Sequence, residues 1–274
     1  MGPWQAVAVT VLAWWASTGV ILFAVRWADR LGGRAHLAMT IGAFPLLLLG
    51  WAGLLISAND TGPLAPLTAF LSALAIWGWF ELAFLCGVIT GPIPRPCPPN
   101  VPGWERFLRA WGTLAYSEIA LLVTATGLVI FAANSANPFG VWTFLILLFA
   151  RVSAKLNLYL GVPNINTEFL PVPMRHLASH FRIAPGNALF PVSITLLTFS
   201  TSLWIGRFFD QDPGSAAAAG FALLATLNAL ALLEHWLMIL PLPDEKLWRW
   251  LLPDAASDPR PDAATNPRPK RRRI

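Results

Sequence analysis

Seven runs of about 20 mostly apolar residues, separated by short polar segments, dominate this chain. They cover residues 4–25, 37–57, 65–89, 107–132, 139–160, 187–206 and 215–240. Each run is long enough to cross the hydrocarbon core of a bilayer as a helix. The runs are continuous rather than alternating, which argues against the closed β-barrel, the other way to span. The chain is only 12% charged, against about 25% in an average soluble domain. The expected fold is therefore all-α, a polytopic integral membrane helix bundle of about seven transmembrane helices forming one domain over residues 1–252. Residues 253–274 read as a disordered basic tail. The first run is too long for a signal peptide, and Met1 to Gln5 carries no Lys or Arg, so it is expected to stay as a helix.

The polar segments alternate in sign. Arg26, Arg30 and Arg34 follow the first span, and Arg95, Arg106 and Arg109 follow the third. Arg151, Lys155, Arg175 and Arg182 surround the end of the fifth, and Lys246, Arg249, Arg260, Arg268 and the run Lys270 to Arg273 follow the seventh. Only Arg207 of the 19 Lys and Arg falls elsewhere. The other loops read Asn59-Asp60, Asn134 to Asn137 and Asp210 to Asp212. The positive-inside rule then places the N-terminus outside and the C-terminus in the cytoplasm, which requires an odd number of spans. The net charge of +5 belongs to these cytoplasmic loops and to contact with anionic membrane lipid; nucleic acid is not an expected partner.

Ionisable groups at membrane depth are rare and point to function. Glu81, Glu118, Lys155, Glu234 and His235 all fall about 8–17 Å from the cytoplasmic boundary, counting 1.5 Å per helical residue. If the third, fourth, fifth and seventh spans adjoin, the five form one polar site. Arg151, Lys155 and Tyr159 share a helix face at i, i+4, i+8, and Trp77 lies one turn from Glu81. Ala218, Ala222 and Thr226 let another helix approach the last span closely. The site could be a structural ion pair between Lys155 and Glu81 or Glu118, a ligand site, or a catalytic one.

The cytoplasmic loops carry their own signals. Thr90 to Gly103 holds six prolines and reads as a stiff extended strap, a linker or a docking surface. Gly161 to Pro171, with Asn164, Asn166 and Glu168, is sized to act as a lid over the inner end of the bundle. Met174, Leu177, Ala178 and Phe181 recur at i, i+3, i+4, i+7, the pattern of an interfacial amphipathic helix. His176 and His180 have the i, i+4 spacing of a metal pair, but no third ligand lies near them in sequence. Asp244 is a good N-cap for a helix over 245–252, with Trp248 and Trp250 at the headgroup level. Cys86 and Cys97 read as free thiols.

Enzyme signatures are missing. There is no phosphate-binding loop, dinucleotide fingerprint or nucleophile elbow. Four histidines are too few for a membrane di-iron site, and Glu234 and His235, being adjacent, point about 100° apart. No catalytic residue and no metal site is assigned.

Ser153-Ala-Lys-Leu-Asn-Leu-Tyr-Leu-Gly-Val-Pro-Asn-Ile-Asn-Thr-Glu-Phe-Leu-Pro171 resembles a segment of the PuhE family, assembly proteins of photosynthetic complexes in purple phototrophic bacteria. Further similarity lies in Trp79 to Leu85 with Thr90-Gly-Pro92, in Leu189-Phe-Pro-Val-Ser-Ile-Thr195, and in Leu233-Glu-His-Trp-Leu-Met-Ile-Leu-Pro-Leu-Pro-Asp244 followed by Leu247 to Trp250. The resemblance runs from about residue 5 to 252. It implies a role in forming the reaction centre and its light-harvesting antenna in the bacterial inner, intracytoplasmic membrane, and modulation of bacteriochlorophyll production. Those subunits are then the expected partners. It supplies no mechanism and no catalytic residue. Ser117 and Pro173 depart from the family pattern, which tends to carry histidine at both positions. A bacteriochlorophyll, a precursor or a partner helix is the expected occupant of the inner site, with His235 as a candidate axial ligand to magnesium. An integral-membrane enzyme of tetrapyrrole metabolism and a pigment-free helix-binding scaffold are the alternatives. A transporter ranks last, since polar groups cluster in one half of the bundle and no inverted repeat is visible.

Overall fold

The computed structural model describes residues 1–241; the expected helix at 245–252, Trp248, Trp250 and the basic tail lie outside them. Among the described residues the chain is helical, with one isolated bridge between Val162 and Ile183. Seven helical stretches are long and apolar enough to cross a membrane. They are α1 (Pro3–Leu31), α2 with α3 (Ala35–Gly42 and Phe44–Ser57), α4 (Ala65–Leu85), α6 (Ala115–Ala132), α7 (Phe139–Leu160), α8 (Leu189–Phe209) and α9 (Ala216–Leu237). The protein is a multi-pass membrane helix bundle.

Two breaks have local causes. Pro45 lacks an N–H and its ring opposes the carbonyl four residues back, so the second span bends at Ala43 into α2 and α3. The expected span 107–132 is shorter than the sequence suggested. Residues Gly103–Gly112 form a separate helix, α5, and α6 begins only at Ala115. Three charges in ten residues, Glu105, Arg106 and Arg109, keep α5 out of hydrocarbon. Its apolar side chains Trp104, Phe107, Leu108 and Trp111 recur at i, i+3, i+4, i+7 and are exposed, the pattern expected of an interfacial amphipathic helix.

The expected amphipathic helix after Pro173 is a correction of the same kind. Val172–His180 is a 3₁₀ segment, not an α-helix lying in the interface. Pro171 and Pro173 cannot donate into a longer ladder, and Met174 and Leu177 are buried against Phe84 and neighbours at the end of the bundle.

The proline strap is not a free linker. Ile93 N–H donates to the Gly112 carbonyl at 2.9 Å, right at the α5–α6 break. A Cβ on Gly91 would stand 2.3 Å from that same oxygen, so only glycine lets the strap pass there. Cys97 N–H donates to Ser179 Oγ at 2.8 Å, and Arg106 donates to the carbonyls of Tyr159 and His180. The segments after α4 and α7 therefore interlock at one end of the bundle, the basic end. At the other end Asn137 ties the α3 and α4 termini together by donating to the carbonyls of Ser57 and Ala65, both at 2.9 Å.

Burial ranks the helices. More than half of the most apolar window of α7 and of α9 is buried, and half of that of α4, against 11% in α1 and in α8. The core is thus the α4–α7–α9 trio, filled by Phe70, Ile76, Phe144, Leu223, Leu224 and Leu227. α3 lies close on α4: a Cβ on Gly50 would come within 2.7 Å of Ile76.

Candidate functional site

α7 carries the site because its register puts Arg151 and Lys155 one turn apart on the face toward α4 and α6. Arg151 is buried, and its guanidinium fork reaches three side chains. Nη1 donates to Glu81 on α4, Nε donates to Glu118 Oε1 on α6 at 3.1 Å, and Nη2 donates to Ser117 Oγ at 3.3 Å. Lys155 Nζ donates to the same Glu118 oxygen at 2.7 Å. Phe84 presents its ring to both cations, 4.6 Å from the Arg151 guanidinium and 4.1 Å from Lys155 Nζ. Two cations and two carboxylates balance, so this quartet carries no formal net charge. That balance is what makes four ionisable groups tolerable at such depth.

Glu118 enters by a different route from the one expected. Because α6 starts at Ala115, Glu118 lies in the first helical turn, where the unsatisfied N–H groups and helix dipole favour a carboxylate. It is 4% exposed, and its second oxygen, Oε2, has no hydrogen-bond partner.

The five expected residues divide among separate sets of hydrogen bonds. Glu81, Glu118 and Lys155 meet, but Glu234 and His235 do not join their hydrogen-bond network. Glu234 faces α1, where Trp14 Nε1 donates to its Oε1 at 3.0 Å. His235, 1% exposed, faces α7 two residues beyond Arg151. Its Nδ1 lies 2.8 Å from the Ala231 carbonyl and its Nε2 2.9 Å from Ser153 Oγ. A carbonyl can only accept, so Nδ1 carries the proton and Nε2 accepts from the serine. The expected free ring nitrogen for a magnesium ligand is therefore occupied. Among the described residues no three His, Cys, Asp or Glu side chains group as a metal site.

The loop 161–171 is tied down at both ends. Asn164 Nδ2 donates to the carbonyls of Leu237 and Leu240, and its N–H to Met238, satisfying orphan carbonyls at the end of α9. The Glu168 carbonyl accepts from Arg26 Nη2 of α1 at 2.6 Å. The Glu168 side chain and Asn166 are exposed. His176 and His180 lie in the 3₁₀ segment beneath, each with one ring nitrogen bonded to a carbonyl, of Pro173 and Arg95 respectively. Burial pushes the pKa of both below the ordinary histidine value; for His180, Arg106 and Arg109 push further the same way.

Sequence reasoning missed three groups. Arg151 organises the quartet; its i, i+4 relation to Lys155 was the signal. Asp29 in α1 gathers His36 Nε2 at 2.9 Å, Arg26 at 3.7 Å and the Val172 N–H at 3.2 Å. Asn157, fully buried, donates to the Ser153 carbonyl and to Ser193 Oγ, joining α7 to α8.

Residues 1–259 match the family described as "Protein of unknown function (DUF3623)". The chain belongs to that family. A Rhodobacter capsulatus relative described as "Uncharacterized 30.4 kDa protein in puhA 5'region" is 52% identical over 257 residues, covering 94% of this chain and 93% of that protein. No solved structure matches. The family thus extends over every span and both tied-down loops.

Proposed function

We propose that this protein is an assembly factor for the bacterial photosynthetic reaction centre and its light-harvesting complex. In this reading it sits in the inner, intracytoplasmic membrane with its basic end in the cytoplasm. The observation that carries the reading is the family relative at 52% identity in the puhA 5′ region. The PuhE-like segments supply the finer role.

The geometry favours holding a partner helix over ligating a pigment through His235. Both nitrogens of that ring are engaged, and axial ligation would have to displace Ser153. The arginine quartet is likewise closed on itself. By contrast a groove of about 770 Å³ opens between α1, α2, α3 and α4. Its walls include Ala24, Ala35, Ala38, Gly42, Ala75 and Gly78, the small residues that admit another transmembrane helix. A reaction-centre or antenna helix is the occupant that this role requires.

The test is a strain carrying Ala38→Phe with Ala75→Phe, which fills the groove without touching a charged group. Membranes should hold normal amounts of the variant protein but fewer reaction-centre and antenna complexes, read from their near-infrared bands. Tagged wild-type protein should co-purify with a complex subunit, and the variant should not. Unchanged complex yield would refute the groove. A purified protein carrying stoichiometric pigment, lost in His235→Leu, would refute the pigment-free part of the reading.

A further inference from the structure

The arginine quartet leaves one carboxylate at membrane depth unmatched. Arg151 and Lys155 of α7 answer Glu81 and Glu118, so the quartet has no cation to spare. Glu234 of α9 takes part in none of the ion pairs among the described residues. Its Oε1 accepts from Trp14 Nε1 at 3.0 Å, and its Oε2 has no hydrogen-bond partner among the described residues. An indole N–H is a neutral donor. It orients this carboxylate without balancing its charge.

The surroundings limit what can supply that balance. Trp14 stands near the middle of the 29-residue α1. At 1.5 Å per residue it is at least about 16 Å from either end of that helix. The carboxylate it holds therefore belongs to the interior of the membrane and not to its surface. On the basic-end side of Glu234 the bundle is roofed. Asn164 donates to the carbonyls of Leu237 and Leu240 at the end of α9, and the Glu168 carbonyl accepts from Arg26 of α1. Segment 164–168 thus crosses from the end of α9 to α1. Beneath this roof Glu234 itself is exposed, and so is the apolar Leu233 beside it. A group that reaches Glu234 arrives through the bilayer.

Charge decides the rest. A carboxylate with no counter-charge is costly in hydrocarbon, and such groups pair with a cation where one can be had. A headgroup ammonium stays at the membrane surface, level with the helix ends. A basic side chain on a transmembrane helix is carried at the required depth.

We propose that Glu234 is the docking point for a transmembrane helix of another protein that bears a lysine or arginine at matching depth. Trp14 fixes one carboxylate oxygen and leaves the other for the incoming cation. No residue of α9 lines the α1–α4 groove, so the site is separate from it and does not rest on the assembly role.

The experiment uses the full-length protein in phosphatidylcholine vesicles. The probe is a dansyl-labelled, leucine-rich helix of about 20 residues with one central lysine. The same peptide with leucine or glutamate at that position is the comparison. Binding is read as energy transfer from the protein's tryptophans to the dansyl group. The lysine peptide should bind at least about 10-fold more tightly than the leucine peptide, and the glutamate peptide no better than leucine. Glu234→Gln keeps an oxygen for Trp14 and nearly the same shape, and should erase the preference. Glu234→Lys should reverse it in favour of the glutamate peptide; if that variant does not fold, Glu234→Gln decides alone. Equal binding of the lysine and leucine peptides, or a lysine preference that survives Glu234→Gln, would overturn the proposal. Displacement of the lysine peptide by adding phosphatidylethanolamine to the vesicles would overturn it too, since a headgroup amine would then be the ligand.

Discussion

The two ends of this bundle are held by different physics. At the basic end, directional contacts dominate: the arginine quartet, the Asp29 group and the segments after α4 and α7 bonded to one another. At the other end, Asn137 apart, aromatic rings do most of the joining. Trp142, Trp204 and Phe221 stack with centroids 5.3 to 6.1 Å apart, and Phe139 meets Phe221 and Trp142 edge-on. A ring can lose some contact and settle again. A buried charge that loses its partner has nowhere to go, because hydrocarbon offers no water. The basic end should therefore be the less forgiving one.

The largest expected effect follows from that difference. Arg151→Leu leaves Glu81 without its ion partner and Glu118 with Lys155 alone. It should cost about 3–5 kcal/mol, seen as a drop in the unfolding temperature in detergent and in expressed yield. Adding Glu81→Gln should recover part of the loss by restoring charge balance. If Arg151→Leu costs no more than a ring substitution at the far end, the contrast between the ends is wrong. His235→Leu removes the partner of the buried Ser153 hydroxyl and should cost about 1–3 kcal/mol in the same assay. Phe221→Leu keeps most of the volume and loses the stacking, for about 1 kcal/mol.

The smallest effect is a pH dependence confined to the 3₁₀ segment. Burial holds His176 and His180 below the ordinary histidine pKa, so the folded segment binds fewer protons than the unfolded one. Their contribution is complete above about pH 6.5 and is lost as pH falls through that value. Backbone amides of 172–180 should exchange faster at about pH 5.5 than at about pH 7.5 after correction for intrinsic rates. Replacing both histidines by glutamine should flatten the difference. An equal change in the aromatic end would show a global effect instead.

The spans were legible because each is a long apolar run, and hydropathy needs no knowledge of neighbours. The breaks were less so. Gly112 and Thr113 continue an apolar pattern, and only the strap at Ile93 and Gly91, distant in sequence, explains why the helix ends there. The site was half legible for a related reason. Depth along a helix can be counted, which put Glu81 and Lys155 at one level, whereas Glu118 was counted from 107, eight residues before α6 begins. Direction around the axis depends on which helices adjoin, and that sent Glu234 to Trp14 and His235 to Ser153. Arg151 was visible as a face-mate of Lys155, but as part of a basic loop it looked like a topology signal rather than the centre of a network.

The pairing of Trp14 with Glu234 joins residues 220 positions apart, and α1 packs along α9. During synthesis α1 leaves the ribosome first and α9 last among the spans. The first helix must therefore wait in the bilayer until almost the whole chain has been made before that bond can form. The seams that α9 makes, the one with α1 among them, are the last to shut, and any helix that reaches the nascent bundle earlier finds that flank of α1 still open.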